Sequence, residues 1–208
     1  MKTAIILAAR REKESEIPYP LKAFAPDLCL LDRTIGILRD LHFSNILIVV
    51  GYKAEMFRKY EADDVTLIVN KDYEFTASMG SLALAKDYVK EDFLLIESDT
   101  FYERRLLEQL AARTEGNCLS MTEESGSGDE CFMETKNGFV TKITKDRHRV
   151  CHFEGEMIGV SRITLDTFEM LVNAWEHASN PYLNYEYLLI DVTEPLDRPV
   201  IVLKNLIW

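Results

Sequence analysis

The residues best suited to chemistry in this sequence are cations set in a chain that is otherwise acidic. Arg10, Arg11, Lys13 and Lys22 fall within one stretch, Ala9 to Lys22, directly after an apolar run. Guanidinium and ammonium groups so placed can neutralise a polyphosphate, and the small Ala8 and Ala9 let such a ligand approach the backbone. A plainer reading pairs the same cations with Glu12, Glu14 and Glu16 as a solvated charge run, since the stretch has no glycine to build a backbone anion nest. Asp99 follows another apolar run and can present a carboxylate to a hard cation. Its competing role is local. Thr100 to Glu103 reads T-x-x-E, a capping box beside which an aspartate would complement the helix dipole.

Two further groups are chemically suggestive. Asn70, Thr76, Ser78 and Ser81 supply small polar donors and acceptors near a strand exit and a helix start, where Ser and Thr also serve as caps. Tyr182, Tyr185, Glu186 and Tyr187 combine aromatic faces with a carboxylate, a set that can enclose a quaternary ammonium by cation–π attraction. The alternative is an amphipathic helix packing its tyrosines into the core, where Trp175 is also expected. His148 and His152 lie four apart in a region that reads as strand and hairpin, so they do not form a helical metal pair. Nucleophile elbow, Walker loop and zinc motifs are absent. Cys29, Cys118, Cys131 and Cys151 contain no CxxC pair, and reduced thiols in a cytoplasmic protein are the expectation.

The elements that must position these residues follow from hydrophobic periodicity. Thr3 to Ala8, Asn45 to Val50, Val65 to Val69 and Phe93 to Ile96 read as strands. Between them, Leu31, Ile35, Leu38 and Leu41 mark one helical face, and Leu82, Ala85 and Val89 another. Alternation of this kind predicts a parallel, doubly wound α/β sheet, whose ligands sit beyond the carboxyl ends of the strands. After Asp99 the texture changes to short strands: Asn117 to Met121, Glu130 to Thr135, Phe139 to Thr144, Val150 to Phe153 and Met157 to Ser161, with a turn at Asn137-Gly138. Helices are expected over Leu165 to Glu176 and Tyr182 to Ile190, and a last strand from Val200 onward.

Length and composition bound the reading. The 208 residues, 47% hydrophobic, suit a single domain spanning 1–208. A formal charge of −11 disfavours non-specific attraction to nucleic acid or an anionic membrane. The run from Thr3 to Ala9 is too short to span a bilayer and ends in Arg10-Arg11, so it reads as a buried first strand and not as a leader.

Taken in order, Lys2-Thr3-Ala4-Ile5-Ile6-Leu7-Ala8-Ala9, then Pro20-Leu21-Lys22, then Ile46 to Gly51-Tyr52 resemble the nucleotide-diphosphate-sugar pyrophosphorylase superfamily of nucleotidyltransferases. Within it the chain is similar to bacterial CTP:phosphocholine and aminoethylphosphonate cytidylyltransferases, through Asn70 to Thr76, Ser81-Leu82, Ala85 and Glu97-Ser98-Asp99. The resemblance spans nearly the whole chain and is strongest up to about Asp99. It implies the nucleotide-diphospho-sugar transferase fold, Rossmann-like and mostly parallel with a mixed-sheet second half. It also implies transfer of CMP from CTP to a small phosphate- or phosphonate-bearing alcohol or amine, phosphocholine favoured, with Mg2+ as cofactor. By resemblance, Lys22 and Arg10 act at the reacting phosphates, and Asp99 holds the magnesium. Leu7, Ala8, Ala9, Arg11, Asn70, Thr76, Ser78 and Ser81 surround the nucleotide, and Tyr182, Tyr185 and Glu186 meet the acceptor.

Two departures bear on these expectations. The family's loop reads Leu-Ala-Ala-Gly-x-Gly-x-Arg, whereas Arg10 and Glu12 occupy the two glycine positions here, and Leu21 is an extra residue before Lys22. Arginine side chains would then grip the triphosphate in place of a glycine-rich backbone. The alternatives are a sugar-1-phosphate nucleotidyltransferase and a degenerate domain that binds nucleotide without turnover. Similar enzymes continue past the position of Trp208 with an acidic segment that supplies a second magnesium carboxylate. The expectation is therefore a truncated chain with an incomplete metal site, which a longer chain would complete.

Overall fold

The computed structural model describes residues 1–11, 15–126 and 128–203. In chain order the elements are β1 (Thr3–Ala8), β2 (Ala23–Ala25), β3 (Leu28–Cys29), α1 (Leu30–Asp40), β4 (Asn45–Val50), β5 (Val65–Val69), α2 (Ser78–Ala83), β6 (Phe93–Glu97), α3 (Arg104–Ala112), β7 (Cys118–Thr122), β8 (Phe132–Lys136), β9 (Phe139–Thr144), β10 (Gly155–Ile163), α4 (Leu165–Glu176), α5 (Tyr185–Val192) and β11 (Val200–Val202). The main sheet has nine strands in the order β11-β7-β10-β6-β1-β4-β5, with the β8–β9 hairpin attached through β10. β6, β1, β4 and β5 are parallel neighbours. β10 runs antiparallel to both β6 and β7, so the second half is mixed as expected.

Burial on both faces explains why the central strands read as unbroken apolar runs. Ala4, Ile6, Ile46 and Ile48 face one side, where they meet Leu31, Ile35 and Leu38 of α1 and Leu106, Leu107 and Leu110 of α3. Ile5, Leu47 and Val49, one residue out of phase, meet Met79 and Leu82 of α2, Phe168 and Leu171 of α4, and Tyr185 and Leu189 of α5 on the other. Each such side chain contributes about 1.5–3 kcal/mol on full burial, enough for these faces to fix the strand register.

Local chemistry fixes the ends of the elements. Helix α1 opens on a capping box in which the Cys29 thiol accepts from the Asp32 N–H while the Asp32 carboxylate accepts from the Cys29 N–H. Tyr60 donates to the same carboxylate at 2.8 Å. The β8–β9 hairpin turns at Asn137 and Gly138, both at positive φ (54° and 81°), the conformation that an Asn-Gly pair favours. Arg198 is buried, and its guanidinium donates to the carbonyls of Val140 on β9 and of Ile190 and Thr193 at the end of α5.

Four expectations need correction. The Val150 to Phe153 strand does not form: Asp146 caps a tight turn at Arg147–Arg149, and the Glu134 carboxylate accepts from the Cys151 and His152 N–H groups that a ladder would have used. The Leu82, Ala85 and Val89 face is buried, but α2 ends at Ala83 and the chain continues as turns. The fifth helix begins at Tyr185, leaving Tyr182 outside it. Finally, Thr100 to Glu103 makes no capping box; α3 starts at Arg104 behind Glu103, which makes no side-chain cap.

Candidate active site at the carboxyl ends of the strands

The ends of β1, β4, β5 and β6 meet at one edge of the sheet. Past these ends the backbone is stitched together: Ser98 donates to the Leu7 carbonyl at 3.2 Å, Tyr52 to the Ala9 carbonyl at 3.0 Å and Asn70 to the Val50 carbonyl at 2.7 Å. Gly51 allows this closeness, since a Cβ there would stand 2.6 Å from Tyr73 Cβ and 2.7 Å from the Ala9 oxygen. Leu7, Ala8 and Ala9 are thus held against the neighbouring strand ends, with Ala8 and Ala9 buried.

The cations of the following loop reach outward from it. Arg10 places a guanidinium nitrogen 3.8 Å from the Asp99 carboxylate and 3.9 Å from that of Asp129, with its side chain 75% exposed. Arg11 pairs with Glu74 at 3.3 Å and lies 5.3 Å from the centre of the Tyr52 ring. Glu16 is taken by Lys53 at 2.5 Å. Arg10, Arg11 and Glu16 therefore have ion-pair partners beyond the loop; Glu12, Lys13 and Glu14 lie outside the described residues. Lys22 follows a tight turn at Tyr19–Leu21 and holds its ammonium 5.0 Å from the Tyr19 ring centre.

Asn70, Thr76 and Ser81 come together, but chiefly with one another. The buried Asn70 amide donates to Thr76 Oγ1 at 3.1 Å and to Ser81 Oγ at 3.0 Å, and its oxygen accepts from the Asp72 N–H at 2.9 Å. Ser78 instead joins α2 to α5: its hydroxyl accepts from the Tyr185 N–H at 3.0 Å and contacts Asn184 Oδ1 at 3.4 Å.

A group of carboxylates occupies the opposite side. Asp99, free of any helix cap, has a side chain 41% exposed. Glu97, the last residue of β6, lies within reach of the Asp99 charge. Burial, then the charges of Glu186 and Asp99, push its pKa up to about 8. Tyr185 and Glu186, at the start of α5, are both buried, and burial followed by the Glu97 charge raises the Tyr185 hydroxyl well above its usual range. Lys145, just past β9, binds Asp129 at 2.7 Å and lies close enough to influence Glu97, Asp99, Cys131 and Glu186. Tyr182 stands apart, 58% exposed.

Among the described residues, no group of three or more His, Cys, Asp or Glu side chains has the spacing of a metal site. Asp99 still suits magnesium, which commonly takes one or two carboxylates and draws its remaining ligands from water and substrate phosphates. No helix of the described residues is long and apolar enough to cross a membrane.

Glu97, Asp129 and Lys145 are the members of this site that sequence reasoning did not single out. For Glu97 a signal existed, because it is an acidic residue closing a buried apolar strand, at the carboxyl end where ligands of such sheets sit. Asp129 and Lys145 lie in loops flanking the hairpin, and nothing in their own spacing connects them.

With this geometry in view, similarity to known proteins becomes informative. No family model matches the chain. CMP-5'-(3-aminopropyl)phosphonate synthase of Streptomyces rubellomurinus is 30% identical over 127 residues, covering 56% of this chain and 20% of that protein. Choline-phosphate cytidylyltransferase of Haemophilus influenzae is 38% identical over 80 residues, 36% of this chain and 33% of that protein. The inositol-1-phosphate CTP transferase of T. maritima superposes with a TM-score of 0.79 over 100% of this chain and 88% of its own, at 19% identity. In sequence the chain is similar to cytidylyltransferases, and it shares its fold with a CTP transferase. It spans about a fifth and a third of the lengths of the two curated relatives.

Proposed function

We propose that this protein moves CMP from CTP to a small acceptor that carries a phosphate or phosphonate at one end and a cation at the other, with release of pyrophosphate. The observation that carries the reading is the division of the crevice by charge. Arg10, Arg11 and Lys22 rise from the loop after β1, which follows Leu7, Ala8 and Ala9. Glu97, Tyr185 and Glu186 gather at the end of β6 and the start of α5, next to Asp99, the partner of Arg10. A triphosphate suits the first side and a cationic acceptor such as phosphocholine the second. The names of the curated relatives, a phosphonate cytidylyl synthase and a choline-phosphate cytidylyltransferase, support the same pairing.

The attacking oxygen of a phosphate monoester is already largely deprotonated near neutral pH, its second pKa being about 6. No general base is then required, in keeping with a site assembled without histidine. What the protein must do is hold two anions in line and offset the charge that spreads over the α-phosphate and the leaving pyrophosphate. Lys22 and Arg10 are assigned to that charge, and Lys145 to the acceptor's anionic end. Asp99 is the residue that would hold magnesium, which would supply positive charge to offset that of the phosphates. The free cysteines suit a reducing cytoplasm.

The test is a matrix of the four nucleoside triphosphates against phosphocholine, aminoethylphosphonate and sugar-1-phosphates, followed by pyrophosphate release. Turnover confined to CTP with an ammonium-bearing acceptor is expected. Turnover with sugar-1-phosphates would replace the acceptor assignment, and nucleotide binding without pyrophosphate under every condition would make the domain non-catalytic.

A further inference from the structure

The acceptor side contains two buried oxygen atoms with no close hydrogen-bond partner among the described residues: Glu186 Oε2 and the Tyr185 hydroxyl, whose polar neighbour is the Glu97 carboxyl. Their residues are 7% and 0% exposed. Such atoms are costly to leave unmade, and two in adjacent residues facing one cluster point to a ligand that donates hydrogen bonds. The surrounding charge gives the sign of that ligand. Glu97, Asp99, Asp129 and Glu186 surround the cluster against the ammonium of Lys145 and the guanidinium of Arg10, and burial raises Glu97, Asp99 and Glu186, so a bound cation would favour their charged forms. Cys131, the remaining polar group between them, adds no positive charge. Gly159 on β10 makes room for the Glu97 side chain, because any side chain there would strike the Glu97 carboxyl.

We propose that the cation of the acceptor is a primary ammonium, bound through its N–H groups to Glu186 Oε2 and the Tyr185 hydroxyl, and that a trimethylammonium is selected against. The proposal rests on the reading of the chain as a cytidylyltransferase and narrows its acceptor class to aminoalkyl phosphates and phosphonates. An –NH3+ group has three donors, enough to satisfy Glu186, Tyr185 and a third acceptor such as Glu97. A trimethylammonium has none and would bury both oxygens unpaired. It binds instead through aromatic faces; of the tyrosines here, Tyr182 stands largely in solvent outside α5 and the Tyr185 ring is packed in the core.

The deciding experiment measures kcat/KM for pyrophosphate release from CTP with phosphoethanolamine and its mono-, di- and trimethylated forms, the last being phosphocholine. The expected result is a fall with each N–H lost, reaching on the order of 100-fold between the two ends of the series. Tyr185→Phe keeps the ring and removes only the hydroxyl; with an unchanged thermal midpoint it should shrink that ratio by about tenfold. Equal or better turnover of phosphocholine by the unmodified chain overturns the ammonium assignment alone and leaves the cytidylyltransferase reading standing. An unchanged ratio in folded Tyr185→Phe also overturns the assignment. Absence of turnover with all four acceptors and with aminoethylphosphonate overturns both.

Discussion

Gly159 lies directly against Glu97: a Cβ at Gly159 would stand 2.6 Å from the Glu97 Cβ and 2.8 Å from its Oε2. Relief would have to come either from β10, which is held on both sides by antiparallel partners, or from the Glu97 carboxyl in the crevice. Gly159→Ala is therefore expected to destabilise the fold by about 1–3 kcal/mol, the usual scale of overpacking. Urea unfolding followed by circular dichroism checks this. An unchanged midpoint would mean that Glu97 swings away freely.

Removing the charge assigned to the reacting phosphates should slow catalysis without unfolding the chain. Lys22→Ala and Asp99→Ala are each expected to lower kcat for pyrophosphate release by about 10²–10³-fold, the scale of losing one preorganised electrostatic contact. Both side chains are at least partly exposed, so thermal midpoints should stay near wild type. Near-normal rates in either folded variant would remove that residue from the mechanism.

The sequence made the central sheet legible because strands buried on both faces must be continuous apolar runs, and the observed limits of β1, β4 and β5 match those runs. Corrections cluster where a side chain replaces a backbone partner. Glu134 absorbs the N–H groups of Cys151 and His152, and no local pattern in Val150 to Phe153 announces a carboxylate arriving from another strand. The candidate site divides in the same way. Lys22, Arg10 and Asp99 stand in motifs beside strand ends and were readable, while Lys145 and Asp129 enter only through the fold of the hairpin.

Asn70 is expected to act on stability first. Its amide serves Thr76, Ser81 and Asp72 together. Asn70→Ala leaves those groups short of a partner in a buried place and should cost about 2–3 kcal/mol. A variant with full thermal stability and a raised KM for CTP would instead favour direct nucleotide contact.

Asp32 gives a pH signature. Burial by itself would raise its pKa, but hydrogen bonds from Cys29 and Tyr60 outweigh burial and leave it below the usual carboxylate range. A depressed folded pKa contributes stability that is present above the unfolded value of about 3.9 and is lost as pH falls through the folded value. The stability difference between wild type and Asp32→Asn should thus be constant above about pH 5 and shrink below about pH 4. Denaturant titrations at several pH values measure it. A gap that persists unchanged to pH 2 would contradict the assignment.

Arg198 is remote from the chemistry, yet its single guanidinium grips β9 at Val140 and the tail of α5 at Ile190 and Thr193. Lys145 follows the far end of β9, and Glu186 sits in the first turn of α5. The two walls of the acceptor side therefore share one rivet, and the gap between them is set by it. Loosening that rivet would let strand and helix splay, so damage far from the crevice would surface as poor acceptor affinity, with the grip on the triphosphate left intact.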